Sequence, residues 1–330
     1  MSQPRFGRMI PAMVTPFDEN RELDLDKAQA LAARLVDGGS DSLIINGTTG
    51  ESPTVFYPQK IELFRAVVEA VGDRVPVIAN VGDNCTADTV DFAREVAELG
   101  VDGFMCVVPY YNKPPQEGIY QHFRTIANAV ELPIILYNVP SRTGVSFTAE
   151  TYQVLSQNPR INGVKEASGN FSLLAHTRFL CPDDFYIWSG NDDQVVPMMS
   201  LGAKGVISVA AYIVPKSMVE MSHLCLENNF EAASKLQIEY MDLIDALFCE
   251  AQGRLHARYA AAYDCNSLHY SLMSYIVSVG QQLTTADAGL PIYFPLRPRY
   301  LAAGSYSTPI LSSRGSTSTW CICIPSTHGS

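Results

Sequence analysis

The sequence lacks any apolar run close to the roughly 18 residues that a membrane-spanning helix needs. Its opening residues, Met1-Ser2-Gln3-Pro4-Arg5-Phe6-Gly7-Arg8, lack the apolar stretch of a secretory leader. Both absences predict a chain that stays in the cytoplasm and away from membranes, with its eight cysteines kept as thiols. Metal-ligand spacings are missing too: the six histidines form no HExxH pattern and no CxxC pair occurs. Glycine-rich phosphate turns are absent, including after the first strand-like run, where Pro11-Ala12-Met13-Val14-Thr15-Pro16-Phe17 stands instead. Positive charge is in short supply, with 23 Lys and Arg against 34 Asp and Glu for a net charge of −11. Such a balance repels nucleic-acid phosphate and argues against a polyanionic partner. What the chain does have is 47% hydrophobic and 17% charged residues over 330 positions, which excludes a disordered or collagen-like protein.

The acidic excess is uneven. Residues 1–251 carry 18 basic and 32 acidic side chains, whereas 252–330 carry five Arg, two Asp and neither Lys nor Glu. The latter stretch also holds 18 Ser and Thr, seven of the 16 Tyr and no sustained helical period. Residues 252–330 therefore read as an atypical tail, produced by a shifted reading frame or a substituted segment near residue 251. A divergent appended domain is the alternative.

Upstream, short apolar runs alternate with amphipathic segments. The runs are 9–14, 42–45, 75–81, 103–108, 134–139, 161–165, 185–189 and 205–209. Several are almost continuously apolar, as expected of parallel strands buried on both faces. Between them, Leu25, Ala28, Leu31, Ala32 and Leu35 share a helical face that ends at Gly38-Gly39. Pro58 opens a second helix carrying Ile61, Phe64, Val67, Val68 and Val71. Eight strand-then-helix units predict an α/β fold, a (β/α)8 TIM barrel over 1–228, rather than an open doubly wound sheet. Helices at 215–228 and 230–250 follow. The second presents Ala233, Leu236, Tyr240, Leu243 and Leu247 on one side, so 229–251 reads as a C-terminal helix.

A barrel carries its chemistry at the carboxyl ends of its strands. Lys165 stands there inside an apolar strand, and desolvation of a lysine favours the neutral amine that Schiff-base chemistry uses. A lysine that reaches solvent or pairs with Glu166 is the other reading. Tyr137 and Tyr111 end two further strands, where a phenol can pass protons or merely pack at the rim. Thr48 and Thr49, between glycines, can present N–H and hydroxyl groups to a small carboxylate, or form a turn that binds nothing. Arg142 can clamp a second carboxylate or sit as a solvated surface charge.

Five segments go further in combination: GTTGES at 47–52, PYYNKP at 109–114, YNVPSRTG at 137–144, GVKEASGN at 163–170 and GVISV at 205–209. In this order and spacing they resemble the pyruvate-dependent class I aldolases, which include N-acetylneuraminate lyases. Within that group the likeness is to the dihydrodipicolinate synthase family, from residue 7 to residue 250. The resemblance implies that Lys165 forms a Schiff base with pyruvate and that Tyr137 donates and accepts protons beside it. It further implies a proton relay through Thr48 and Tyr111, with Tyr111 entering the active site of an adjacent subunit. Thr49 and the threonine amides would hold the pyruvate carboxylate, and Arg142 the carboxylate of L-aspartate 4-semialdehyde. Gly190 and Ile207 would line the pocket.

The implied reaction is the condensation that yields 4-hydroxy-tetrahydrodipicolinate, first committed step of diaminopimelate and lysine biosynthesis. It would be carried out by a homodimeric or homotetrameric lyase with no cofactor or metal. An N-acetylneuraminate or sugar-acid lyase is the rival within the superfamily. A catalytically silent barrel with a disrupted C-terminal part is the rival outside it. Arg142 in the SRTG segment favours the synthase side. The family's lysine-sensitive members carry two histidines where this chain has Tyr57 and Lys60, although Ser52, Asn84 and Tyr110 match. Weak or absent feedback by lysine is therefore expected.

Overall fold

A computed structural model describes residues 4–248. The atypical tail and the end of the expected C-terminal helix lie outside the described residues. Strands and helices alternate in chain order: β1 (Met9–Pro11), α1 (Leu25–Asp37), β2 (Leu43–Ile45), α2 (Tyr57–Val71), β3 (Val77–Asn80), α3 (Thr86–Ala97), β4 (Gly103–Val107) and α4 (Gln116–Ala129). There follow β5 (Ile134–Asn138), α5 (Pro140–Thr143), α6 (Ala149–Leu155), β6 (Ile161–Glu166), α7 (Phe171–Leu180), β7 (Tyr186–Ser189), α8 (Val195–Ser200), β8 (Gly205–Ser208) and α9 (Pro215–Leu226).

All strand pairings are parallel, in the ring order β1-β8-β7-β6-β5-β4-β3-β2. The ring closes where Ala12 bridges Ile44 in parallel. Two backbone bonds support the seam: Asp41 N–H to the Met9 carbonyl at 3.0 Å, and Met13 N–H to the Ile44 carbonyl at 2.8 Å. The expected (β/α)8 barrel is thus the fold. Most strands are shorter than the apolar runs that announce them. After Pro11 the chain leaves the regular ladder, and the Val14 N–H donates to the Tyr212 hydroxyl at 2.5 Å instead of to another strand.

Strand alternation divides the core into two layers. Ile10, Ile44, Ile78, Met105, Ile135, Tyr137, Trp188 and Ile207 form the inner cluster. Their neighbours Leu43, Val77, Phe104, Ile134, Leu136, Val164, Ile187 and Val206 pack outward beneath the helices. Each large apolar side chain buried this way contributes roughly 1.5–3 kcal/mol relative to exposure. Local signals set the helix ends. The Asp24 carboxylate accepts the Lys27 N–H at 2.9 Å to start α1, and Gly38 caps its end.

One helix differs from expectation. The stretch 230–250 reads as a single helix, but α10 (Phe230–Glu239) stops and α11 (Met241–Phe248) starts afresh, with Tyr240 between them at φ −97° and ψ 7°. The Ser217 hydroxyl of α9 donates to the Tyr240 hydroxyl at 2.9 Å, which fixes that residue at the junction. As a result Ile244, rather than Leu243, takes the fully buried place in α11.

Candidate active site

Parallel strands place all their carboxyl ends on one rim, where the candidate residues lie. Lys165 is the fifth residue of β6, and period-two alternation turns it inward while Val164 and Glu166 turn outward. Its register partners are Tyr137 on β5 and Trp188 on β7. Only 5% of the lysine and 5% of Tyr137 remain exposed. The Lys165 Nζ lies over the Tyr137 ring, 4.5 Å from its centre. Lysine, phenol and Ile207 therefore share the barrel interior, with Ile207 1% exposed.

The alternative pairing of Lys165 with Glu166 is not made. Glu166 faces the helices, where Asn138 Nδ2 donates to both carboxylate oxygens at 3.0 and 3.1 Å. The Tyr152 hydroxyl and the Ser168 N–H donate at 3.0 and 2.8 Å. Burial raises the Glu166 pKa, and these hydrogen bonds oppose the rise. The network spans β5, β6 and α6 and fixes the two strands that carry Tyr137 and Lys165. Sequence reading missed it, although the alternation that sends Lys165 inward necessarily sends Glu166 out.

Gly190, just after β7, lies against the lysine stem. A Cβ there would fall 3.2 Å from Lys165 Cγ and 2.7 Å from Ala167 Cβ, so only glycine lets the loop pass this close. The threonine turn follows β2. Gly50 and Glu51 N–H groups bond back to the Gly47 and Thr48 carbonyls at 3.0 and 3.1 Å, and Thr48 and Thr49 are half-buried. A Cβ on Gly50 would meet Asn46 Cα at 2.8 Å and the Met13 carbonyl at 2.9 Å, which explains the glycine closing this tight turn.

Arg142 is exposed on the short α5, which Gly144 terminates at φ 72°. Tyr111 stands apart from the rest. The Asn112 N–H bonds to the Tyr110 carbonyl at 2.9 Å around a Tyr111 φ of 73°, a tight γ-turn geometry that a bulky residue adopts only under strain. Tyr111 is 84% exposed. Sequence spacing cannot reveal such a turn.

The model of the dihydrodipicolinate synthetase family matches residues 5–263. A 4-hydroxy-tetrahydrodipicolinate synthase from Moorella thermoacetica is 49% identical over 244 residues, covering 74% of this chain and 84% of its own. One from Synechococcus elongatus is 47% identical over 250 residues, covering 75% and 84%. Among solved structures, DHDPS from Cyanidioschyzon merolae with lysine bound superposes with a TM-score of 0.76. It is 40% identical and is covered over 97% of its length by 86% of this chain. Residues that meet inside this barrel thus sit in a chain that belongs to the dihydrodipicolinate synthetase family.

Proposed function

We propose that the chain is a lyase that condenses pyruvate with L-aspartate 4-semialdehyde to 4-hydroxy-tetrahydrodipicolinate, using Lys165 as a Schiff-base nucleophile. The observation that carries this reading is the buried Lys165 amine seated over Tyr137 inside a barrel of this family. The Lys165 Nζ attacks the C2 carbonyl of pyruvate, and the carbinolamine loses water to give an iminium. Tyr137 moves the protons of that dehydration and helps remove one from the methyl carbon, leaving an enamine. Thr48 and the Tyr111 of a neighbouring subunit connect Tyr137 to solvent.

The enamine carbon then forms a bond to the aldehyde carbon of the semialdehyde, whose oxygen takes up a proton. Attack of the semialdehyde amine on the iminium carbon closes the ring and expels the Lys165 amine. One water leaves per turnover. Thr49 and the turn amides hold the pyruvate carboxylate, Arg142 holds that of the semialdehyde, and Gly190 and Ile207 shape the pocket.

The lysine supplies the electron sink, so the reaction requires no metal or organic cofactor. Exposure of Tyr111 and the role given to it support an assembly of at least two subunits, and the chain acts in the cytoplasm. Turnover assays decide the substrate. The chain is expected to consume pyruvate and the semialdehyde with formation of 4-hydroxy-tetrahydrodipicolinate by mass spectrometry, and to leave N-acetylneuraminate intact. Cleavage of N-acetylneuraminate with no semialdehyde turnover would overturn the proposal.

A further inference from the structure

The β5–β6 ladder is irregular where it starts and is held by side chains where it ends. Ile134 pairs with Ile161 but Ile135 pairs with Gly163, so Asn162 is an extra residue and the register shifts there. Beyond the shift, Leu136 pairs with Val164, Tyr137 with Lys165 and Asn138 with Glu166. Two registers thus occur in one ladder, and a slip of one residue turns every side chain of a strand to its other face. For Lys165 that slip would carry the amine from the barrel interior to the layer beneath the helices. The pair that ends the ladder stands next to the reacting one. Asn138 is fully buried and Glu166 is 3% exposed. Asn138 Nδ2 reaches both Glu166 carboxylate oxygens and also the Ser146 hydroxyl, the last at 3.1 Å. The Asn138 Oδ1 meets no donor among the described residues, so the nitrogen alone orients this amide. Backbone bonds converge on the same pair: the Ala167 N–H donates to the Asn138 carbonyl at 2.9 Å, and the Gly190 N–H to the Glu166 carbonyl at 2.8 Å. Ser146 follows the segment that carries Arg142, which the Thr143 hydroxyl closes by donating to the Val145 carbonyl at 2.8 Å.

We infer that Asn138 and Glu166 are positioning residues. Their amide–carboxylate clasp fixes the β5–β6 register beside the reacting pair, keeps Lys165 and Tyr137 facing each other, and through Ser146 ties the Arg142 segment to the same strand ends. The clasp acts through the backbone. Both side chains turn outward, and neither exchanges a proton with the amine. Two donors to Glu166, the Asn138 amide and the Ser168 N–H, cannot accept a hydrogen bond, so the carboxylate serves ionised and its charge strengthens each bond. The inference rests on the Schiff-base reading above. It adds that the alignment of the amine with the phenol, and not only its burial, depends on this pair.

The experiment reverses the pair in the full chain. Glu166→Gln sets an amide nitrogen against the Asn138 Nδ2, and Asn138→Asp sets carboxylate against carboxylate. The double variant Asn138→Asp/Glu166→Gln again faces one amide with one carboxylate, and the Tyr152 and Ser146 hydroxyls can each exchange donor and acceptor roles to suit it. Two rates are measured on chains shown to be folded by circular dichroism: formation of the borohydride-trapped pyruvate adduct, and turnover. Both should fall on the order of ten- to a hundredfold in each single variant, the cost of misplacing reacting groups by about an ångström. The double variant should recover to within about fivefold of the parent, as coupled partners do when their interaction is restored. A pair that served stability alone would leave both rates at parent values in the folded single variants, and that result overturns the inference. A double variant that is unfolded, or as slow as the single ones, overturns it too, and this arm decides the matter even if the single variants do not fold. Absence of any adduct in the parent chain overturns the Schiff-base reading itself, and this inference with it.

Discussion

Tyr137 and Lys165 are register partners on adjacent parallel strands, and the lysine Nζ sits 4.5 Å above the centre of the phenol ring. The ring gives the amine an apolar, electron-rich floor, while the hydroxyl beyond it is the group proposed to move protons. Tyr137→Phe separates the two functions. The variant should fold, keep the floor and still form the pyruvate adduct. Its turnover should fall by roughly 10²–10⁴, the usual worth of a positioned general acid–base. Steady-state assays alongside adduct mass would show this. Full turnover by Tyr137→Phe would remove the hydroxyl from the mechanism.

Arg142 stands on the four-residue α5 beside Gly144, and its proposed task concerns only the second substrate. Loss of one charge-assisted contact costs about 1.5–3 kcal/mol. Arg142→Ala should therefore raise the KM for the semialdehyde by roughly 10- to 150-fold and leave pyruvate trapping unchanged. Initial-rate measurements with each substrate varied in turn provide the check. A variant with unchanged semialdehyde KM would mean that the aldehyde's carboxylate is held elsewhere.

His122 on α4 predicts an acid weakness. It is 5% exposed, its Nδ1 lies 2.8 Å from the Thr86 hydroxyl, and its Nε2 has no hydrogen bond among the described residues. Burial, opposed by the charge of Asp83, lowers its pKa to about 4 from an ordinary 6.5. The unfolded chain thus binds a proton near pH 6.5 that the folded chain refuses until about pH 4. Stability from this residue is present above pH 6.5 and is lost as pH falls towards 4. Between pH 7 and pH 5 the loss should be about 2 kcal/mol. Urea titrations at the two pH values should show His122→Gln losing that much less than the parent; equal losses would contradict the assignment.

Lys60 on α2 predicts the response to free lysine. Its Nζ is 3.3 Å from the Ser52 hydroxyl and 5.8 Å from the centre of the Phe92 ring. Nearby, the Tyr57 hydroxyl donates to Glu95. Burial lowers the Lys60 pKa, and Asp83 opposes that shift. A second ammonium brought into contact with this one would meet about 1–4 kcal/mol of repulsion, according to the local dielectric. L-Lysine should inhibit weakly or not at all in an activity titration, and strong inhibition at micromolar concentration would refute the expectation.

Much of the barrel and of its interior lysine is legible in the sequence. Eight runs such as 103–108 and 134–139 are apolar on both faces because a sheet covered by helices outside and filled inside leaves no wet face. The same burial made Lys165 stand out. Other features have no local signature. Tyr240 lies within an unbroken apolar pattern, so the helix break at α10 and α11 could not be foreseen. Asp192 sits in a polar loop among Asn191, Asp193 and Gln194, and only folding brings β8 to it. The strained turn at Tyr111 depends on backbone torsion, which residue spacing does not encode.

The most direct measurement is peptide mapping after borohydride reduction of the chain with pyruvate. A single reduced pyruvate adduct on Lys165, abolished in Lys165→Ala and in the absence of pyruvate, is the outcome expected. No adduct, or one carried by a surface lysine such as Lys27, Lys216 or Lys235 with Lys165 unmodified, would contradict the assignment of the barrel interior as the reacting centre.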